Sequence, residues 1–214
     1  MYIDPWLEPW LSLIAKRVGS QAILELGCGS GLDTATLEAA GHRVVAVDLS
    51  PGAVTKARKR APYAEIYCQD LRAPFPPSAS RINVVIASLS LHYFPWDETL
   101  ALVRKIFELL PSSGLLLCRL NSMNDHHYGA SGHPEIEPNY YLVDGEPKRF
   151  FSKASVQALF ATGWRILHLE ERVVHRYAKP KSVWEVILEK PPNPAVESDA
   201  CESAPRVSQR TCTS

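Results

Sequence analysis

The stretch Glu25-Leu26-Gly27-Cys28-Gly29-Ser30-Gly31 decides the fold prediction, because it joins a strand pattern to a helix pattern. The apolar run Ala22 to Leu26 is typical of a strand covered on both faces. Residues 31–40 have helical periodicity, and Gly41 closes that segment. Glycines between the two elements permit positive φ angles and let a ligand approach the backbone. In a doubly wound sheet this turn lies at the carboxyl end of the strand, where ligands bind.

Outward from this turn, apolar runs alternate with helical segments along the chain. We predict strands at 22–26, 44–47, 65–68, 82–87, 115–120, 165–174 and 182–189, and helices at 3–18, 31–40, 50–60, 95–110 and 152–161. The alternation predicts an α/β fold with a doubly wound, seven-stranded, mostly parallel sheet. No helical segment separates the last two strands, so we expect an antiparallel last strand.

The pattern predicts a single domain over residues 1–190, with two additions to the alternating core. Residues 1–20 contain the N-terminal helix, and the long polar segment 121–150 is an insertion of the kind that forms lids. We expect both to cover the active site. Residues 191–214 contain many Ser, Pro and Glu and few large apolar groups, which predicts a disordered tail.

Composition narrows the possible partners. The chain of 214 residues has 23 Lys plus Arg and 23 Asp plus Glu, so its formal net charge is zero. A balanced charge argues against electrostatic capture of nucleic acid or of an anionic membrane. No apolar run reaches the roughly 18 residues of a membrane span. The five cysteines are scattered without a CxxC pair, which predicts neither disulfides nor a metal site and fits a cytoplasmic setting. We expect a monomer or a homodimer.

An acidic residue ends the second strand and narrows the ligand class. Asp48 lies 21 positions after Gly27, where a carboxylate can accept hydrogen bonds from both ribose hydroxyls. A dinucleotide turn requires Gly-x-Gly-x-x-Gly, whereas position 32 is leucine and the third glycine is Gly31. A nearby carboxylate, Glu25, disfavours a diphosphate and favours a cation. The residues therefore favour S-adenosylmethionine over a nicotinamide cofactor.

Four features together resemble the ordered motifs of class I S-adenosylmethionine-dependent methyltransferases: Glu25 to Gly31, Asp48, Asp70 and the run 82–92. The resemblance covers about residues 15 to 190. Within that class, residues 88–94 and 148–151 are similar to small-molecule enzymes, including tellurite-resistance-type methyltransferases. The resemblance implies the cofactor S-adenosyl-L-methionine and methyl transfer to a small-molecule acceptor by in-line displacement under a closing lid.

The resemblance also implies which residues contact the methionine portion of the cofactor. Gly27, Cys28 and Gly29 would line it, with Glu25 near its ammonium group. Ser88, at the end of the fourth strand, would lie beside the same portion.

The resemblance implies a second set of residues that would contact the nucleoside portion of the cofactor. Asp48 would bind the ribose hydroxyls, and Leu49 would pack on the adenine. Asp70 would accept a hydrogen bond from the adenine amino group, and Leu71 would supply a backbone N–H.

A general base is needed only if the acceptor must lose a proton. His92 is the first candidate, because it follows the fourth strand and histidine has an unperturbed pKa near 6.5; a structural histidine is the alternative. Tyr128 and His126 are the next candidates. The pair Lys148-Arg149 either steers an anionic acceptor or is simply solvated.

Other functions remain open. A nucleic-acid or protein methyltransferase is one, although Ser88-Leu89-Ser90-Leu91 stands where an Asn/Asp-Pro-Pro-aromatic motif would clamp an exocyclic amine. A non-catalytic S-adenosylmethionine-binding regulatory protein is another. A nicotinamide oxidoreductase is a third, and it predicts NADH binding.

Overall fold

The computed structural model describes residues 5–192 and confirms the predicted α/β fold. The strands are β1 (Ala22–Leu26), β2 (Val44–Asp48), β3 (Glu65–Cys68), β4 (Ile82–Ser88), β5 (Leu115–Asn121), β6 (Glu135–Glu137), β7 (Tyr140–Val143), β8 (Glu146–Arg149), β9 (Arg165–Val174) and β10 (Lys181–Glu189). The helices are α1 (Leu11–Val18), α2 (Leu32–Ala39), α3 (Pro51–Arg60), α4 (Trp96–Leu109) and α5 (Lys153–Leu159).

The main sheet has seven strands in the order β3-β2-β1-β4-β5-β10-β9. The first five are mutually parallel, and β10 runs antiparallel to both β5 and β9. The predicted antiparallel last strand is therefore confirmed. The carboxyl ends of β1, β2 and β4 meet at one edge, and the order reverses direction beside β1, which creates a crevice for a ligand.

Strong local signals give elements that match their predicted bounds. Helix α3 begins at Pro51, one residue into the predicted range, because Ser50 caps it: the Ser50 hydroxyl accepts a hydrogen bond from the Ala53 backbone N–H at 3.3 Å. Strand β1 is buried at all five positions, as its continuous apolar run predicts. Apolar side chains from both faces of the sheet form two buried clusters under the helices.

The predicted N-terminal helix over 3–18 is wrong in its first part. A short 3-10 turn at Glu8–Trp10 precedes α1, and helix geometry is regular only from Leu11. Pro9 lacks a backbone N–H, so a continuous helix through it would lose a hydrogen bond. Trp6 is buried all the same, and Ile14 and Val18 pack on the sheet.

The insertion 121–150 is not only an irregular loop. Its second half folds into a separate antiparallel sheet, β6-β7-β8. Asp144 and Gly145, both with positive φ (52° and 83°), form the two-residue turn between β7 and β8. The Asp-Gly pair is a hairpin signal that the polar composition of the segment obscured. The predicted tail, 191–214, lies outside the described residues apart from its first two positions.

Candidate active site

A cleft of about 980 Å³ opens at the carboxyl edge of the main sheet. Every predicted site residue except His126 lines it. Those residues are Glu25, Gly27, Cys28, Gly29, Asp48, Leu49, Asp70, Leu71, Ser88, His92 and Tyr128. The cleft is of the size that cofactor and substrate sites have.

Each glycine of the turn has positive φ, but the three have different surroundings. At Gly27 (φ 75°) a Cβ would lie 2.4 Å from the Ser90 Cβ, so no larger residue fits against that loop. At Gly31 (φ 77°) a Cβ would lie 2.8 Å from the Ala57 Cα, which explains this glycine by the packing of α2 on α3. Gly29 (φ 55°) faces open space at the cleft. The turn thus leaves backbone exposed to a ligand at Gly29.

The carboxylate of Asp48 is fixed by two backbone amides. Gly29 N–H donates to its Oδ2 at 2.7 Å, and Ser50 N–H donates to its Oδ1 at 2.9 Å. Each carboxylate oxygen can accept further hydrogen bonds. Asp48 therefore has a defined orientation, with capacity left for hydroxyl groups in the cleft.

Glu25 is a buried carboxyl group at the end of β1. Its Oε2 accepts a 2.6 Å hydrogen bond from the Thr34 hydroxyl. Burial, then the charge of Asp33 and, to a smaller extent, that of Asp48 raise its pKa to about 8, against the lowering effect of the Thr34 hydrogen bond. A cation placed among these carboxylates would relieve their repulsion. The arrangement fits the ammonium and sulfonium charges of S-adenosylmethionine.

The Cys28 thiol lines the same part of the cleft as a neutral group. Burial, together with the charges of Glu25 and Asp48, raises its pKa well above the usual range. Its backbone N–H donates to the Val47 carbonyl at 3.1 Å, which holds the turn against β2. Cys28 is therefore a packing and backbone element of the site, not a nucleophile.

The loop after β3 contributes Asp70 and Leu71 to the lining of the cleft. Asp70 binds Arg72 through both oxygens, at 2.7 Å to Nη2 and 3.0 Å to Nε, and this partner lowers its pKa. Leu71 is buried, and its carbonyl accepts from Lys105 Nζ at 3.0 Å. Leu49 is exposed at the rim. Arg72 was not predicted, and it holds Asp70 ionised at the cleft.

His92 lies in a short 3-10 turn after β4 and is buried. Its Nδ1 is buried and has no hydrogen-bond partner among residues 5–192, and its ring packs at a tilt of 38° against Tyr93, with the centroids 4.1 Å apart. Burial first, and then the charges of Lys181 and Lys148, lower its pKa well below the usual range. His92 is therefore neutral at physiological pH, and its Nδ1 is available to a ligand.

The other two predicted bases have different positions. The Tyr128 hydroxyl donates to the Lys179 carbonyl at 3.1 Å and accepts from the Lys179 N–H at 3.0 Å, so it is occupied by backbone. His126 is exposed and does not line the cleft. In the turn after β5, Asp125 is buried against Lys181, and the next residue, His126, faces outward. The structure gives no support for catalysis by His126.

Several cleft residues were missed by sequence reasoning. Lys181 pairs with buried Asp125 at 2.7 Å, and the 175–180 loop between β9 and β10 contributes Arg176 and Tyr177. The Ser88 hydroxyl accepts from Arg119 Nε at 2.9 Å. No local motif marks Arg176, Tyr177 or Lys181, because these residues reach the cleft only through the sheet order, which places β10 beside β5.

Metal and membrane features are absent from the part of the chain that the structure describes. Residues 5–192 contain no group of three His, Cys, Asp or Glu side chains placed to hold a metal ion. Within the same residues, no helix is both long and apolar enough to cross a bilayer.

Comparisons with known proteins agree with this geometry. Residues 23–114 match a family described as methyltransferase domain. A carboxy-S-adenosyl-L-methionine synthase from Glaesserella parasuis is 29% identical over 152 residues, covering 59% of this chain and 62% of the relative. The chain thus spans less than two thirds of that relative's length.

Two solved structures have the same fold. A methyltransferase dependent on S-adenosylmethionine from Methanosarcina mazei superposes with a TM-score of 0.70 at 17% identity, covering 84% of this chain and 97% of its own. A magnesium protoporphyrin IX methyltransferase from Synechocystis was crystallised with S-adenosylmethionine. It superposes with a TM-score of 0.62 at 16% identity, covering 86% of this chain and 76% of its own.

The seven-stranded sheet is the Rossmann-like fold that these two methyltransferase structures share. Residues 23–114 of this fold match the methyltransferase domain family, and the two solved structures of the same fold depend on S-adenosylmethionine or were crystallised with it.

Proposed function

We propose that this protein transfers a methyl group from S-adenosylmethionine to a small-molecule acceptor. One observation carries the proposal: the carboxylates Glu25, Asp48 and Asp70, which form the cofactor seat in this proposal, line the same cleft of about 980 Å³ as His92. Cofactor and acceptor can therefore occupy adjacent parts of one cavity. The relative's name and the Synechocystis structure support a small-molecule acceptor over a polymer.

The residues of the seat fit the cofactor group by group. Glu25 and the backbone at Gly29 would hold the methionine portion, with Ser88 beside it. Asp48 would hold the ribose, and Asp70 with Leu71 would hold the adenine. When bound, S-adenosylmethionine supplies an electrophilic methyl group on a positively charged sulfur.

The chain's own contribution is alignment. Asp48 is fixed by two amides, and Gly27 packs against Ser90, so the seat has one defined shape. Holding two reactants in line supplies on the order of 7–11 kcal/mol of the barrier reduction. His92 would accept a proton or a hydrogen bond from the acceptor at Nδ1, which has no partner in the part of the chain that the structure describes.

The insertion and the β9–β10 loop would exclude water from the part of the cleft beside His92, where the acceptor would bind. They are joined by the Tyr128 hydroxyl on the Lys179 backbone and by the buried pair of Lys181 with Asp125. Excluding water strengthens the electrostatic interactions within the closed site. We assign Tyr128 to this contact and not to proton transfer.

The test has two arms. Calorimetry with S-adenosylhomocysteine measures cofactor binding, and a turnover assay for S-adenosylhomocysteine release screens acceptors that include small molecules, RNA, DNA and proteins. Turnover with small molecules alone supports the proposal. Binding without turnover on any acceptor would favour a regulatory protein, and turnover on a polymer would favour the other alternative. We expect a monomer or homodimer in a cytoplasmic setting, which size-exclusion chromatography and fractionation check.

A further inference from the structure

Three buried side chains that line the cleft each have a polar atom without a hydrogen-bond partner among residues 5–192. The atoms are Ser90 Oγ, His92 Nδ1 and Asn121 Oδ1. The three residues are at most 4% exposed. A buried polar atom without a partner is uncommon and costs stability. Three such atoms on the walls of one ligand cleft indicate that ligands bring the missing partners.

These three atoms lie where β4 and β5 end beside the glycine turn. The 3-10 turn that carries His92 packs against β5, and Asn121 is the last residue of β5. Ser90 packs on the glycine turn, because a Cβ at Gly27 would lie 3.3 Å from the Ser90 Oγ. The Ser90 hydroxyl is therefore closest to the backbone that would hold the methionine portion of the cofactor. His92 and Asn121 remain for the methyl acceptor.

The chemistry of these two side chains defines what the acceptor must offer. The Asn121 Nδ2 donates to the Arg149 carbonyl at 3.3 Å, which fixes the amide and leaves Oδ1 as a hydrogen-bond acceptor. A neutral His92 with its hydrogen on Nε2 offers Nδ1 as a second acceptor. A primary amine carries two hydrogens and can satisfy both atoms, whereas a hydroxyl or thiol carries one.

We propose that the methyl acceptor is the nitrogen of a weakly basic primary amine, such as an aromatic amine, whose two N–H groups donate to Asn121 Oδ1 and His92 Nδ1. Asn121 is thereby a specificity-determining residue of the acceptor site. Hydrogen bonds to both N–H groups leave the nitrogen lone pair free to face the methyl donor. This assignment rests on the proposed function, since it names the class of acceptor for the same site.

The reaction itself favours a weakly basic amine. Such an amine is uncharged near neutral pH, so its nitrogen keeps the lone pair that attack requires. The lone pair forms the bond from nitrogen to the methyl carbon, while the bond from sulfur to that carbon breaks and leaves its electron pair on sulfur. The nitrogen is then positive, and it gives one hydrogen as a proton to His92 Nδ1, which passes it to water. Because the pKa of His92 lies well below 6.5, His92 takes a proton efficiently only from an acidic ammonium, which a weakly basic amine forms.

The test uses matched small probes on protein saturated with S-adenosylhomocysteine. Aniline is compared with N,N-dimethylaniline and phenol, and α-naphthylamine with its N,N-dimethyl form and α-naphthol, by calorimetry or saturation-transfer NMR. We expect at least one primary amine to bind about tenfold more tightly than its dimethyl form, and several-fold more tightly than its hydroxyl analogue. Dimethyl or hydroxyl probes that bind as tightly as the amines, or no binding by any probe, would overturn the assignment.

Two variants locate the contact. Asn121→Leu should abolish the preference for the primary amine. Asn83→Leu is the matched control, because the Asn83 Nδ2 also donates to a backbone carbonyl, that of Arg17 at 3.1 Å, but Asn83 does not line the cleft. An equal effect of the two leucine variants would contradict a contact at Asn121. His92→Phe retains a ring against Tyr93 and removes Nδ1, so it should also reduce the preference and remains informative if Asn121→Leu does not fold.

Binding of S-adenosylhomocysteine separates the two levels of the account. Protein that binds S-adenosylhomocysteine but shows no preference for the primary amines overturns only the acceptor class. Protein that fails to bind S-adenosylhomocysteine overturns the proposed function itself.

Discussion

The backbone N–H of Gly29 donates a 2.7 Å hydrogen bond to Oδ2 of Asp48. This contact joins the turn after β1 to the end of β2, so the two motifs that the sequence separates by 19 positions form one structural unit. The carboxylate that should bind ribose is the same group that orders the glycine turn. Changes at Asp48 therefore affect both parts of the seat.

Replacing Asp48 by alanine should weaken S-adenosylhomocysteine binding by about 2–3 kcal/mol, because hydroxyl groups lose a charged partner and the turn loses an anchor. Calorimetry measures the affinity. Asp48→Asn retains an acceptor for the Gly29 amide, so it should show a smaller loss. An unchanged affinity for the alanine variant would remove Asp48 from the site.

Gly27→Ala should destabilise the protein by about 1–3 kcal/mol more than Gly41→Ala, because only the former places a methyl group against Ser90. Both glycines have positive φ (75° and 85°), and no atom lies within 4 Å of a Cβ at Gly41, so the conformational cost is matched. Denaturant unfolding gives the two free energies. Ser90→Gly added to Gly27→Ala should recover part of the loss. Equal costs for the two alanine variants would contradict the close contact.

The buried carboxyl of Glu25 predicts a pH dependence of ligand binding. Its pKa is about 8 in the free protein, and an ammonium group bound beside it would lower that value. Binding then releases a proton below pH 8, so the affinity for S-adenosylhomocysteine should rise as pH increases and level off above about pH 8. Glu25→Gln should flatten this dependence. Calorimetry in buffers of different ionisation enthalpy counts the proton, and no proton release would contradict a role for Glu25.

The raised pKa of Glu25 also makes the stability of the free protein depend on pH, in the direction opposite to its effect on ligand affinity. An unfolded glutamate ionises near pH 4.5, before the folded one, so the folded state holds more protons between pH 4.5 and 8. The free energy of unfolding contributed by this group should therefore fall as pH rises through that window. Melting temperatures of the native protein and Glu25→Gln, compared across that range, isolate the effect.

The imidazole of His92 should affect turnover without affecting cofactor affinity. With an acceptor identified by screening, His92→Ala should lower kcat by about 10²–10⁴-fold if it removes a proton. Since the pKa of His92 is held well below 6.5, kcat of the native protein should not decline as pH falls to 6.5. Equal losses of turnover and of S-adenosylhomocysteine affinity would instead assign His92 a structural role.

The alternation of strands and helices could be predicted because apolar runs and caps are local signals. Strand β3 and helix α3 match their predicted ranges, and the antiparallel pairing of β10 follows from the missing helix before it. Pro9 was overlooked as a break in the first helix. The Asp144-Gly145 turn was overlooked because a polar, aromatic-rich segment has no clear apolar period.

The residues predicted for the cofactor come together in one cleft because short loops after β1, β2 and β3 supply most of them. The opposite side of the cleft could be predicted only at Lys148, because Arg176 and Lys181 come from the β9–β10 loop and β10, which carry no local motif. They meet only because β10 inserts between β5 and β9. Arg149, predicted as the partner of Lys148 in a basic pair, is instead buried and paired with Glu137.

The most direct measurement is a calorimetric titration of the purified protein with S-adenosylhomocysteine, and in parallel with NADH. The account predicts one-to-one binding of S-adenosylhomocysteine, loss of that binding in Asp48→Ala, and no heat of binding with NADH. Binding of NADH at the cleft, with S-adenosylhomocysteine unable to bind or to displace it, would contradict the account.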